Sequence, residues 1–248
     1  MRVLGVIPAR LGSTRLPHKP LQLLAGEPLI TRVIERALDH GVVAQLVVAT
    51  DSEKVARVAE QAGARAVLTS SSHPTGTDRV AEVAGLADFA GYEAVVNIQG
   101  DEPFLSREAL VGALARVEQG DDIGTAAAPL EPSLASDPSR VKVVTDARGK
   151  ALYFSRAAIP FLREGSATER TYWQHVGIYA FSGPSIRRWA TLSPAPAEEA
   201  ERLEQLRALH HGMSIGVSRL DEPVLPGIDT AEDLRRAEAH WYAYQGQV

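Results

Sequence analysis

Short β-branched runs alternate along this chain with longer stretches of helical period. Val3 to Ile7 is the first apolar run. Between Pro28 and His40, Leu29, Ile30, Val33, Ile34, Ala37 and Leu38 recur at the spacing of an amphipathic helix, and Gly41 is placed to end it. Leu46 to Ala49 reads as a buried strand. Glu53 to Gln61 reads as a helix capped by Thr50 or Asp51, and Ala66 to Leu68 as a third strand. This strand–helix order, with connections too long for hairpins, predicts a parallel sheet with helices on both faces. The pattern continues through a helix over Arg79 to Leu86 capped by Thr77 or Asp78, a central strand over Ala94 to Ile98, a helix from Arg107 to about Gln119 capped by Ser106, and a strand over Ile123 to Ala128.

After Pro129 the character changes. Pro129 to Ser139 is rich in Pro and Ser and reads as a surface excursion. Val141 to Thr145 and Ala151 to Phe154 flank Asp146-Ala147-Arg148-Gly149 as a hairpin. A strand over His175 to Phe181, an amphipathic helix over Glu201 to Arg207, and a strand over Ser214 to Ser218 follow. Thr230 and Asp233 form a capping box for the last helix, with Asp in place of Glu. The expectation is an α/β fold in one domain over residues 1–248, with a mixed, mostly parallel sheet. Residues 129–181 are then an antiparallel addition, too short for a large core of their own.

Composition narrows the function. The 248 residues are 45% hydrophobic with a formal net charge of −5, and the few clustered cations suggest a small anionic ligand rather than nucleic acid. The chain has no cysteine, which excludes disulfides, thiolate metal sites and Cys nucleophiles. Neither a signal peptide nor a spanning apolar run is present, so a soluble, cytoplasmic protein with no membrane partner is expected.

The cations gather after the first strand, in Pro8-Ala9-Arg10-Leu11-Gly12-Ser13-Thr14-Arg15-Leu16-Pro17-His18-Lys19-Pro20-Leu21. Three prolines stiffen this loop, and Gly12 and Ser13 let backbone N–H groups approach an anion. Arg10, Arg15 and Lys19 on such a scaffold suit a polyphosphate. It is not a P-loop, because no G-x-x-x-x-G-K-[ST] occurs. Ser70 to Arg79 also follows a strand directly, so it should share the rim where open α/β sheets bind ligands. It is either an ordinary loop with a helix cap or a nucleotide wall. Gln99-Gly100-Asp101-Glu102-Pro103 ends the central strand. Asp101 there suits a divalent cation, with Glu102 as the rival ligand, or serves only as a turn cap. Asp229 stands just before the last helix, either facing the rim or complementing the helix dipole.

These stretches resemble the cytidylyltransferases that activate ulosonic acids, above all 3-deoxy-manno-octulosonate (Kdo) cytidylyltransferase. Ile7 to Leu21 follow that family's I-P-A-R-x-x-S-T-R-L-P-x-K-P-L pattern, and His73 to Arg79, Gln99 to Pro103 and Gly227 to Leu234 match in order. Three second-half clusters carry the more specific likeness: Lys142 to Asp146 with Ala151 to Pro160, His175 to Tyr179, and Leu203 to Arg207. One departure is Gln174, where many members have Arg or Lys. The resemblance implies a nucleotide-diphospho-sugar transferase-like fold and a homodimer formed through 129–181. It implies CTP and an ulosonic acid as substrates, and CMP-Kdo and diphosphate as products for lipopolysaccharide synthesis. It assigns Ala9, Arg10, Ser13, Lys19, Thr75, Gly76, Arg79 and Gln99 to the nucleotide. Gln99, Arg156, His175, Tyr179, Glu204 and Gln205 fall to the sugar acid, and Asp101 and Asp229 to Mg2+. Arg10, Arg15, Lys19, Asp101 and Asp229 are then the catalytic set. Other readings are a transferase for 8-amino-Kdo or sialic acid, a sugar-1-phosphate nucleotidylyltransferase (whose usual G-x-G loop is replaced here by Pro8-Ala9-Arg10), and a nucleotide-binding regulatory protein without turnover.

Overall fold

In the computed structural model, which describes residues 1–12, 15–165, 168 and 170–245, the first strand runs Val3–Ala9 and is buried along nearly its whole length. The chain forms two compact units. Unit one comprises Met1–Tyr92, Asn97–Leu105 and Leu225 onward, and unit two comprises Glu93–Val96 and Ser106–Val224.

In unit one, strand Val3–Ala9 pairs in parallel with Gln45–Thr50, which pairs in parallel with Arg65–Leu68. The helices Leu29–Asp39 and Glu53–Gln61 lie between these strands in the chain, as the periodicity predicts. Two caps differ from expectation. Ser52, not Thr50 or Asp51, accepts the Val55 N–H, which leaves Asp51 for another partner. The next helix is Gly76–Ala84 and is capped by Thr75, so it begins three residues earlier than its apolar pattern. Thr75 wins because it holds the extended backbone that an N-cap needs (φ −129°, ψ 166°). The last helix, Ala231–Gln245, starts on the expected box: Asp233 N–H donates to the Thr230 hydroxyl oxygen, and Thr230 N–H donates to the Asp233 carboxylate. Its Trp241 and Ala237 join Leu16, Leu24, Leu29 and Ile228 in a buried cluster that ties the last helix to the segment after the cationic loop.

Unit two holds mixed pairing. Ile123–Leu130 is parallel to Ile215–Arg219 and antiparallel to Tyr172–Ser182. Lys142–Thr145 and Ala151–Ser155 form the expected antiparallel hairpin. Helix Arg107–Glu118 packs so tightly on Ile123–Leu130 that a Cβ on Gly124 would fall 1.8 Å from the Ala113 carbonyl oxygen. The expected helix over Glu201 to Arg207 is instead two short helices, Pro196–Glu201 and Gln205–His210. Arg202 breaks them with a left-handed backbone at φ 54°. The architecture is α/β with a mixed, mostly parallel set of strands.

Candidate functional site

Four segments of unit one meet at the end of its first strand. Ile98 N–H donates to the Val6 carbonyl (2.9 Å), which lays the Gln99–Asp101 turn beside Pro8. The approach is close: a Cβ on Gly100 would stand 3.1 Å from the Pro8 carbonyl oxygen, so a larger residue fits only if the strand end gives by a few tenths of an ångström. Ile228 N–H then donates to the Asp101 carbonyl (2.9 Å), which draws Asp229 to the same place. The result is a cavity of about 360 Å³, within the ordinary range for small-ligand sites. Ala9, Arg10, Arg15 and Lys19 line it from the first loop, and Thr75, Gly76 and Arg79 from the second. Gln99 and Asp101 line it from the strand end, and Asp229 from the entry to the last helix. Positions far apart in sequence therefore share one rim. Ser13 lies outside the described residues.

The charges in the cavity are arranged around Lys19. Its ammonium donates to Asp101 Oδ2 and, at 2.9 Å, to Asp229 Oδ1. Arg15 reaches Asp229 Oδ1 at 3.0 Å from a largely exposed position. Burial works against the Lys19 ammonium, but the charges of Asp101 and Asp229 outweigh it and hold the group above the ordinary lysine pKa. Asp101 and Asp229 are the carboxylates of this cavity that could hold a metal ion.

The second wall is more occupied than its sequence suggests. The Arg79 side chain is buried, and its guanidinium donates to the Thr69 hydroxyl and to Asp51 Oδ2 (3.2 Å). The Thr75 hydroxyl accepts the Asp78 N–H and donates to the Asp78 carboxylate at 2.8 Å. His73, which also lines the cavity, bonds Glu82 through Nε2. Partial burial opposes ionisation of Glu82, yet the His73 and Ser70 N–H bonds hold its carboxyl below the usual range. Fully buried Asn97 donates to Thr77 Oγ1 (3.0 Å) and accepts from the Gln99 amide (3.3 Å). Asn97 and Glu82 carry no sequence signal of this role, because a strand Asn and a helix-face Glu are ordinary residues.

The expected sugar-acid residues belong to unit two. Arg156 is anchored on backbone carbonyls: Nε on Glu201 (2.7 Å), Nη1 on Pro138 (2.9 Å) and Nη2 on Arg202 (3.3 Å). Glu204 precedes helix Gln205–His210, and Gln205 is buried at its start. The His175 and Tyr179 rings lie 5.3 Å apart, as their shared strand face predicts, and Phe154 meets His175 edge-on at 5.0 Å. Sequence reasoning places Lys142 in a matching run but gives it no role of its own; its fully buried ammonium donates to the carbonyls of Asp137, Arg140 and Arg156. Burial pushes its pKa down.

Burial also pushes the His175 imidazole down to about 3. The unfolded chain binds this proton near pH 6.5, so between pH 6.5 and 3 the unfolded state holds more protons and stability falls as pH falls. From pH 7 to 5 this one group is expected to remove about 2 kcal/mol. Urea unfolding at both pH values checks it. His175→Gln should lose correspondingly less over that interval, whereas identical losses in both proteins would place the acid sensitivity elsewhere.

Residues 4–215 match the Cytidylyltransferase family. The chain is 50% identical over 245 residues to the 3-deoxy-manno-octulosonate cytidylyltransferase of Gemmatimonas aurantiaca, covering 97% of this chain and 95% of that one. It is 47% identical over 246 residues to the enzyme of the same name from Methylococcus capsulatus, covering 95% of each. Its fold is similar to the solved structure of CMP:2-keto-3-deoxy-manno-octonic acid synthetase complexed with CTP, with a TM-score of 0.90, 36% identity, and 98% of this chain and 100% of that one covered. The 4-diphosphocytidyl-2C-methyl-D-erythritol synthase of Anaerococcus prevotii, 13% identical with a TM-score of 0.62 and covering 97% and 98% of the two chains, shares the fold alone.

Proposed function

The chain belongs to the 3-deoxy-manno-octulosonate cytidylyltransferase family, and we propose that it converts CTP and Kdo to CMP-Kdo and diphosphate. The observation that carries this reading is the cavity of unit one, where Arg10, Arg15 and Lys19 gather opposite Asp101 and Asp229. That charge pattern suits a triphosphate, and family membership makes it the triphosphate of CTP. The anomeric hydroxyl of Kdo attacks the α-phosphorus in line. The new P–O bond forms as the bond to the β-phosphate oxygen breaks, diphosphate leaves with the electron pair, and the hydroxyl proton passes to solvent. Arg10, Arg15 and Lys19 hold the phosphates and offset the charge that builds on the leaving diphosphate. Thr75, Gly76 and Gln99 flank the nucleoside. Arg79 acts mainly as a brace for that wall, given its bonds to Thr69 and Asp51.

The donor set fits magnesium. Asp101 and Asp229 supply two hard oxygen ligands around one cationic position. Among the described residues there is no cluster of three or more His, Cys, Asp or Glu, so Asp101 and Asp229 are the carboxylates that would hold the ion. When bound, the ion neutralises the α-phosphate and favours ionisation of the attacking hydroxyl. In unit two, Arg156 is the residue suited to the sugar carboxylate, and His175, Tyr179, Glu204 and Gln205 to its hydroxyls. The reading extends to a cytoplasmic homodimer whose product enters lipopolysaccharide synthesis.

Diphosphate release from CTP tests the function. It is expected only when Kdo and magnesium are both present, and to stop on chelation. Release that ignores Kdo would mean simple CTP hydrolysis and overturn the proposal.

A further inference from the structure

The strand that carries His175 does not run evenly beside its neighbour. Val176 pairs with Ala126 and Ala180 with Gly124, so Gly177, Ile178 and Tyr179 face the single residue Thr125. Such a bulge takes backbone groups out of the ladder and re-aims the side chains around it. Thr125, fully buried, supplies a replacement partner. Its Oγ1 lies 2.7 Å from the Ile178 carbonyl oxygen and 3.3 Å from that of Val176. The same oxygen lies 2.9 Å from His175 Nε2.

Hydrogen counting settles the direction of these bonds. A hydroxyl has one hydrogen and two lone pairs, and a carbonyl oxygen can only accept. The Ile178 carbonyl is the nearest acceptor, so it takes the Thr125 hydrogen. A lone pair of Oγ1 is left for Nε2 at 2.9 Å, and two lone pairs at that distance would repel. Nε2 therefore carries the hydrogen and donates it. A neutral imidazole has one N–H, so Nδ1 keeps its lone pair and can act only as an acceptor. The Phe154 and Tyr179 rings, 5.0 and 5.3 Å away, hold the imidazole plane.

We propose that Thr125 is a positioning residue that fixes His175 as its Nε2–H tautomer, so that Nδ1 accepts a hydrogen from a hydroxyl of the sugar acid. The sugar-acid half of this inference rests on the Kdo reading above; the tautomer half stands on the geometry alone. The consequence is a division of labour. His175 selects a hydroxyl donor and repels a carboxylate, so it is not a counter-ion for the acid, and that charge falls to Arg156. A hydroxyl at position 125 is then needed for recognition of the sugar and not for recognition of CTP.

The test combines imidazole 15N spectra of the free protein at neutral pH with kinetics of Thr125→Val and Thr125→Ser. His175→Gln identifies the His175 signals by their loss. The wild type and T125S are expected in the Nε2–H form, and T125V as a mixture or as the Nδ1–H form. T125V is expected to raise KM for Kdo about tenfold, the scale of one well-placed hydrogen bond, with KM for CTP unchanged. T125S should restore the wild-type value. An Nδ1–H or doubly protonated ring in the wild type would overturn the assignment even if T125V does not fold. A T125V protein with the wild-type tautomer and KM for Kdo would overturn it as well. If the wild type turns over no Kdo, the functional reading fails separately, and the spectra still decide what Thr125 does to the ring.

Discussion

Asp101→Asn is expected to lower kcat by at least about 10²–10³-fold, the usual scale for loss of one electrostatic stabiliser. The exchange keeps the shape of the side chain and removes its charge. In the folded protein Asp101 lies beside Lys19 at the cavity floor, and Asp229 meets the same ammonium at 2.9 Å. Asparagine keeps one oxygen as a weak ligand but halves the negative charge available to a divalent ion. The loss should therefore fall on kcat, with KM for CTP changed far less, because Arg10, Arg15 and Lys19 remain to hold the phosphates. The backbone bond from Ile228 to Asp101 does not involve the side chain, so thermal unfolding should be nearly unchanged. Steady-state kinetics beside a melting curve check both statements. Near-normal turnover in a folded D101N protein would remove Asp101 from the metal role.

The largest expected effect on stability lies away from that cavity. Arg207 and Glu198 form a buried bidentate pair in unit two, with Nη2 to Oε1 at 2.6 Å and Nε to Oε2 at 2.9 Å. Glu198 also accepts the Ala195 N–H at 3.1 Å, and the guanidinium lies 5.1 Å from the Trp189 ring centroid. Glu198→Gln removes the charge of the bidentate partner from a buried guanidinium, and breaking one side of a buried pair costs about 3–5 kcal/mol. For a chain of this length about 2–4 °C of melting temperature is lost per kcal/mol, so a drop of roughly 10 °C is expected. Replacing both partners with Leu removes the buried charges together and should recover much of the loss. If E198Q melts with the wild type, the pair contributes little in solution.

Much of this was legible because local signals agreed with the fold. The helix over Leu29–Asp39, the hairpin around Asp146 to Gly149 and the Thr230–Asp233 box each combine a period with its own end signal. The cationic loop was legible because a stiff, charged segment directly after a strand has few structural reasons to exist. The carboxylate pair was only half legible. Either aspartate alone reads equally well as a turn or helix-end residue, and what joins them is the Ile228–Asp101 backbone bond, spanning more than a hundred residues. The helix over Glu201 to Arg207 was misread for a related reason. Its apolar spacing is helical, but Arg207 is drawn to Glu198, nine residues away, and the chain breaks at Arg202 to allow it. Thr125 was silent in sequence, because its role depends on a bulge in the neighbouring strand.

The measurement that bears most directly on the central claim is a 31P spectrum of the protein with CTP, magnesium and one acid at a time: Kdo, its 8-amino relative or sialic acid, with glucose-1-phosphate as control. A phosphodiester signal for CMP-Kdo, growing with equimolar diphosphate and fastest with Kdo, is the predicted result. A product with glucose-1-phosphate, or none with any acid despite bound CTP, would contradict it.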